Sequence, residues 1–253
     1  MADVEATIAE NFARYFRVDI VHDDRLLDRV QFVRFRVYCE EFGFEPLESC
    51  PGRREKDEFD DQSIHCLITH ISSDRPAGCV RMVPTLTNAP ASTLPFEEFC
   101  GDSLDQKLLN SMDLDRNAIC EISRLAVDCD FRKRSGENET RFGSSTNIDF
   151  NDEEKRTLPF IAVSAYLAAT AITAHTGRTN VFAMMEPFLP RLLNRAGIRF
   201  TRVGKEIDYH GKRAPYFITT QSALDGMSKE LKDLYDVIEQ QLYDHHDQKA
   251  TGS

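Results

Sequence analysis

Acids and arginines recur inside apolar company in three short stretches of this chain: Arg34-Phe35-Arg36-Val37-Tyr38, Glu55-Lys56-Asp57-Glu58-Phe59-Asp60 and Glu121-Ile122-Ser123-Arg124, with Arg81 between the last two. Charges buried among apolar residues are costly unless they pair or do chemistry, so their placement is a functional clue. Asp57 and Asp60, three apart at a loop-to-strand junction, suit capture of a cation or an amine; equally, they fit a solvated charged loop. Glu121, an isolated acid in a strand-like run, suits a base. Arg81 and Arg124 can pair with these acids, and such a network can be structural with no catalytic step.

The elements that must position these residues follow from periodicity. Val4, Ile8, Phe12 and Tyr15 predict an amphipathic helix leading into a strand at 17–21, and Leu26, Val30, Val33 and Val37 predict a second helix ending near Gly43, with Arg34 and Tyr38 neighbours at i,i+4. Residues 50–61 read as a loop, 63–71 and 78–85 as an antiparallel hairpin, 104–111 as a helix and 118–127 as a strand. Regular alternation puts Glu121 and Ser123 on one face of that strand and Arg124 on the other; a bulge would redirect Arg124. The polar stretch 135–154 is expected to be a mobile insertion or lid. An Ala-rich helix at 158–174, a strand at 180–185, a helix at 187–195, strands near 198–203 and 216–220, and an amphipathic helix at 222–243 complete the reading. This predicts one domain over 1–243 with its core at about 16–221, and a disordered tail at 244–253.

At 253 residues, 41% hydrophobic and 29% charged, the chain can bury a core of its own. No apolar run of roughly 18 residues stands out, and the first residues lack a signal-peptide pattern, so a soluble cytoplasmic protein is expected. The seven cysteines have no metal-knuckle or CxxC spacing, which predicts free thiols, a reducing compartment and no metal. The net charge of −11 argues against a nucleic-acid partner. A local basic cluster, Arg132, Lys133 and Arg134, could still dock an acidic one.

The segments VRFRVYCEEFGF, EKDEFD, GCVRMVPT and CEISRLAV resemble, in order and spacing, the signatures of the autoinducer (acyl-homoserine-lactone) synthase superfamily, over roughly 24–203. The resemblance implies the GCN5-related N-acetyltransferase fold, an α/β (α+β) architecture whose splayed mixed sheet is flanked by helices, here with extra N- and C-terminal helices. Its cleft would admit an acyl thioester from one side and an amine from the other. It carries over Arg34, Tyr38, Phe44, Asp57, Asp60, Arg81, Glu121, Ser123 and Arg124 as the functional set. Tyr38 and Phe44 stand where autoinducer synthases usually show phenylalanine and tryptophan. With the insertion and the terminal helices, they look more like relatives that make long-chain N-acyl amino acids, including acyltransferases associated with bacterial PEP-CTERM/exosortase systems.

Acetyl-CoA enzymes of this fold usually hold the pyrophosphate on a Gly-rich loop at a helix N-terminus. Here the corresponding position, 131–136, runs into the polar insertion. A donor on acyl carrier protein offers a single phosphodiester and an acidic body, which suits Arg132, Lys133 and Arg134, although an ordinary solvated basic turn reads the same way. The expected reaction moves a long acyl chain from acyl carrier protein (a phosphopantetheine thioester) or acyl-CoA, as co-substrate, to the amine of an amino acid or related small molecule, with no permanently bound cofactor. Glu121 would be the base, directly or through water. Backbone N–H groups near Ser123 would hold the oxyanion, with direct attack by the amine simpler than an acyl-enzyme on Ser123. Asp57 and Asp60 would orient the acceptor or shape its pocket, and Met184 and Met185 are acyl-tunnel candidates. Transient membrane contact would accompany product release, with no transmembrane segment. The alternatives are an autoinducer synthase using S-adenosylmethionine and a non-catalytic lipid-binding or regulatory module.

Overall fold

The computed structural model describes residues 6–86, 93–132, 148, 150–195 and 197–250. Thr7 caps α1 (Ile8–Tyr15): its hydroxyl accepts the Glu10 N–H while the Glu10 carboxylate accepts the Thr7 N–H. The chain passes into β1 (Phe16–Ile20), then α2 (Asp24–Arg34), whose start is capped by Asp23 accepting the Leu26 N–H. The helix expected to run on to Gly43 changes character: Phe35–Glu41 is a π-helix. Then come β2 (Ile64–His70), β3 (Arg75–Pro84), α3 (Pro95–Cys100), α4 (Gln106–Ser111) and β4 (Ile119–Val127). α5 (Asp152–Thr157), α6 (Ile161–Thr176), β5 (Asn180–Met185), α7 (Leu189–Arg195), β6 (Thr201–Arg202), β7 (Ile207–Asp208), β8 (Lys212–Thr219), α8 (Thr220–Gly226) and α9 (Lys229–Ala250) complete the order.

The strands form one sheet in the order β1-β2-β3-β4-β5-β8-β6, with β7 paired to β8. Every pairing is antiparallel except β4 with β5, which is parallel and covers only Ile119 to Glu121 against Asn180 to Phe182. Beyond Glu121 the two strands part. This splayed mixed sheet is the architecture expected from the sequence.

Alternation along the strands sorts the two faces. Cys66, Ile68, Val80 and Met82 join Ile161, Ala165, Leu234 and Ile238 in the main core, so α6 and α9 cover one face. Leu67, Cys79 and Ala126 pack with Val30, Val33 and Val37 on the other, under α2 and the π-helix. Gly78 lets α6 settle closely: a Cβ there would lie 2.9 Å from the Ala126 carbonyl oxygen and 3.2 Å from an Ile161 methyl. α6 ends where Gly177 takes the left-handed conformation (φ 68°). The span Asp152–Thr176 has the length and apolarity of a membrane crossing, contrary to the reading that no run was long enough, but 67% of its apolar window is buried inside the protein. It is a core helix.

Three differences from the sequence expectation have local causes. The C-terminal part of the 135–154 insertion is ordered: Asn151 caps α5, and Glu154 is buried with its carboxylate 3.1 Å from His70 Nε2. Residues 135–147 of that insertion lie outside the described residues. The single helix expected at 222–243 is two, because the chain turns at Gly226–Ser228 before α9 begins. α9 also continues past the expected tail boundary at 244, to Ala250, a stretch whose sequence contains no Gly or Pro.

Candidate active site

Arg34, at the end of α2, and Arg81, in the middle of β3, are fully buried, as large charged side chains seldom are. Both are compensated. Arg34 donates from Nε to Glu55 and from Nη1 to Asp60 Oδ1 at 2.7 Å; Arg81 donates from Nη1 to Asp57 and to the same Asp60 oxygen at 2.6 Å, and from Nε to Ser123 Oγ at 3.1 Å. Arg124 closes the ring, with Nη2 3.2 Å from Glu55 Oε1 and 3.0 Å from Asp57 Oδ2.

Arg124 reaches this ring through the bulge that the sequence reading made conditional. Cys79 pairs with Ala126 and Arg81 with Ser123, so Arg124 and Leu125 share the space opposite Val80, and Arg124 takes φ 50°. Its guanidinium lies 5.6 Å from the centroid of the Tyr38 ring, and the Tyr38 hydroxyl donates to the Leu125 carbonyl at 3.0 Å. Tyr38 itself stands on the π-helix, a feature often found at functional sites.

The ionisation of the ring is locked. Burial works against the charges of Arg34 and Arg124, but Glu55, with Asp60 for the first and Asp57 for the second, outweighs it and raises both above the ordinary arginine value. Burial likewise pushes Glu55, Asp57 and Asp60 up, and the arginines more than offset it, holding all three below the ordinary carboxylate range.

Glu121 lies outside this balance. It is 3% exposed, and burial, only partly opposed by the Phe96 N–H and the arginines, lifts its pKa to about 7. The Phe96 N–H donates to Oε2 at 2.7 Å, and Phe96 is held in place by stacking on Phe182 at 4.7 Å. α3, which supplies that N–H, is absent from the sequence reading, although Pro95 at its first position is a start signal.

Where β4 and β5 part, a cavity of about 290 Å³ passes through the sheet. Tyr38, Glu121, Ser123, Arg124, Tyr209, His210 and Arg213 border it on the α2 side; Ala162, Val163, Tyr166, Leu193 and Phe200 line it on the α6 side, with Met184 and Met185 on the wall. A buried carboxyl able to accept a proton at one end of an apolar slot suits transfer of an apolar acyl group to a polar acceptor.

The structure thus brings Arg34, Tyr38, Asp57, Asp60, Arg81, Glu121, Ser123 and Arg124 to one place. Asp57 and Asp60 are not among the residues that border the cavity; both pair with Arg81, and Asp57 also pairs with Arg124, which does border it. Phe44 stands beside the cavity, 6.3 Å from Tyr38 and 5.6 Å from His210, ring to ring. Arg132 pairs with Glu41 and covers Phe42, with about a third of its side chain exposed; Lys133 and Arg134 lie outside the described residues. Glu55 lies inside its motif with nothing to set it apart from Asp57 and Asp60, and Arg213, Tyr209 and His210 carry no motif signal at all. All seven cysteines are free thiols.

Residues 33–140 match the family described as an acetyltransferase (GNAT) domain. No curated protein matches the chain. Among solved structures, the chain is similar to TofI in a ternary complex with an inhibitor and MTA (TM-score 0.59, 17% identity, 86% of this chain and 99% of that one). It is similar to the CoA-dependent acyl-homoserine lactone synthase BjaI with SAM and isopentyl-CoA (TM-score 0.56, 16% identity, 94% and 91%). It is also similar to FeeM, an N-acyl amino acid synthase from uncultured soil microbes (TM-score 0.53, 12% identity, 84% and 94%). These likenesses show the fold, and the matched domain supports an acyltransferase.

Proposed function

We propose that this protein is an N-acyltransferase that moves a long acyl chain from a pantetheine thioester, on acyl carrier protein or CoA, to the amine of an amino acid or a related small molecule. The observation that carries this reading is Glu121, a buried carboxyl with a pKa of about 7 at the mouth of an apolar slot between two parting strands. A base poised near neutrality can take a proton from an ammonium group and still release it afterwards.

The amine nitrogen attacks the thioester carbonyl carbon, a C–N bond forms as the C–S bond breaks, the amine proton passes to Glu121, and the thiolate leaves to be protonated. Where β4 and β5 no longer pair, the β4 backbone can serve the pantetheine amides and, at the Arg124 bulge, the developing oxyanion. The apolar side of the cavity, lined by Val163, Tyr166 and Phe200, takes the acyl chain. Ser123 accepts a hydrogen bond from Arg81 and has no base arranged for an acyl-enzyme step.

The test is mass spectrometry of lipid extracts from cells expressing the wild type or Glu121→Gln, alongside purified protein supplied with acyl-CoA or acyl-acyl carrier protein. New N-acyl amides that need Glu121 support the reading. Labelled lactone from labelled S-adenosylmethionine would replace it with the autoinducer synthase, and no product from folded protein would sink it.

A further inference from the structure

Arg213 sits at the start of β8, where its neighbour Ala214 still pairs with Met185 and where β7 folds back on it through Ile207. Its guanidinium lies 5.6 Å from the Phe44 ring centroid and borders the cavity. Unlike Arg34, Arg81 and Arg124, it meets no acid: among the described residues the Arg213 guanidinium makes no ion pair and no hydrogen bond, and its Nε is shut off from solvent without a partner. Arg124, on the same cavity wall, is fully engaged by Glu55 and Asp57. A buried donor left without an acceptor calls for an explanation.

We propose that Arg213 receives a carboxylate of the acceptor, so that the substrate amine is carried by an amino carboxylate; this rests on the acyl-transfer reading above. The cavity then has the polarity of its ligand. Glu121 faces the amine end and Arg213 the acid end, on strands that β5 separates. A planar guanidinium with an aromatic ring against it is pre-organised for a carboxylate fork. Tyr209 and His210 close the same end: His210 stands 3.4 Å from Glu45 and 5.6 Å from Phe44, and Tyr209 stacks on Phe99 at 6.0 Å. This turn joins the segment after the π-helix to α3 across the acceptor side. A donor phosphodiester offers similar anionic oxygens, but Arg213 lies on the Tyr38 and Phe44 side of the cavity, away from the apolar acyl slot on the α6 side.

The experiment compares purified wild type, Arg213→Met and Arg213→Lys, each checked for folding by its thermal transition. Dodecanoyl-CoA and dodecanoyl-acyl carrier protein serve as donors; free amino acids and their amides serve as acceptors. Wild type should prefer acids to amides by roughly 10- to 100-fold in kcat/KM, the range of a charge-assisted hydrogen bond. Arg213→Met should lose that preference chiefly through acceptor KM, while its turnover of amides falls far less, and Arg213→Lys should recover part of it. An unchanged preference in folded Arg213→Met overturns the proposal, and so does a change confined to donor KM, which would put a donor phosphate at Arg213. A wild type that acylates neither acids nor amides overturns the acyl-transfer reading and this assignment with it.

Discussion

Two charged regions lie side by side on the α2 face, and they are built on opposite principles. In the first, Arg34, Arg81 and Arg124 interlock with Glu55, Asp57 and Asp60, so that positive and negative charges balance and every acid meets two arginines. In the second, Glu121 and Arg213 border one cavity, the acid bound by a single backbone N–H and the arginine by no acid. The first region fixes positions; the second retains the capacity to react and bind. An acid and an arginine that form no ion pair among the described residues therefore mark the chemistry better than burial does, since Arg34 and Arg81 are buried more deeply than Arg213.

The sharpest way to break this contrast is Glu121→Gln, which removes the base and leaves its shape. It is expected to lower kcat by about 100- to 10,000-fold in an acyl-transfer assay without unfolding the protein. A loss of less than tenfold would move the base elsewhere. Arg34→Met should instead destabilise the fold by about 3–5 kcal/mol in urea titrations, because it leaves Glu55 and Asp60 buried with fewer partners. Stability unchanged by that substitution would mean the ring is incidental.

The two regions should also respond oppositely to pH. Glu121 holds its proton up to about pH 7 when folded but releases it near 4.5 when unfolded, so its contribution to stability is complete at low pH and declines as pH rises through that window. Glu121→Gln should accordingly gain on the wild type between about pH 4.5 and 7, by on the order of 3 kcal/mol in paired denaturation curves. The acids of the ring have lowered pKa values, so their stabilisation is present above the ordinary carboxylate range and lost as pH falls through their folded values. A wild-type acid limb that Arg34→Met leaves unaltered would contradict this.

Smaller changes refine the boundary between the regions. Ser123→Ala removes an acceptor from buried Arg81 and should cost about 1.5–3 kcal/mol in stability while kcat stays within about tenfold; complete inactivation of the folded variant would revive an acyl-enzyme. Tyr38→Phe loses only the hydrogen bond to Leu125 and should cost about 1 kcal/mol, read from the thermal midpoint.

Much of this was legible in the amino-acid sequence because it is written in local patterns. The strand Asn180–Met185 and the buried Ala-rich helix before it follow the apolar periodicity, and a bulge at Arg124 is the condition on which the strand pattern lets it join the acids. α3 was not foreseen: six residues carry too little periodicity, and only Pro95 marks its start. The division of labour among the acids was not legible either. Glu55 and Asp57 belong to one charged run, and nothing in that run says which arginines will reach it. Arg213 has an ordinary basic neighbour in Lys212, and its isolation exists only once β7, β8 and Phe44 are brought together.

The π-helix at Phe35–Glu41 carries a consequence for how this chain can vary over evolutionary time. A π-turn accommodates one residue more than an α-turn, so removing one residue there lets the backbone relax to an α-helix while the segments on either side keep their relative orientation. Relatives of this fold should therefore tolerate a one-residue difference in length within 35–41, its effect confined to the turn that carries Tyr38.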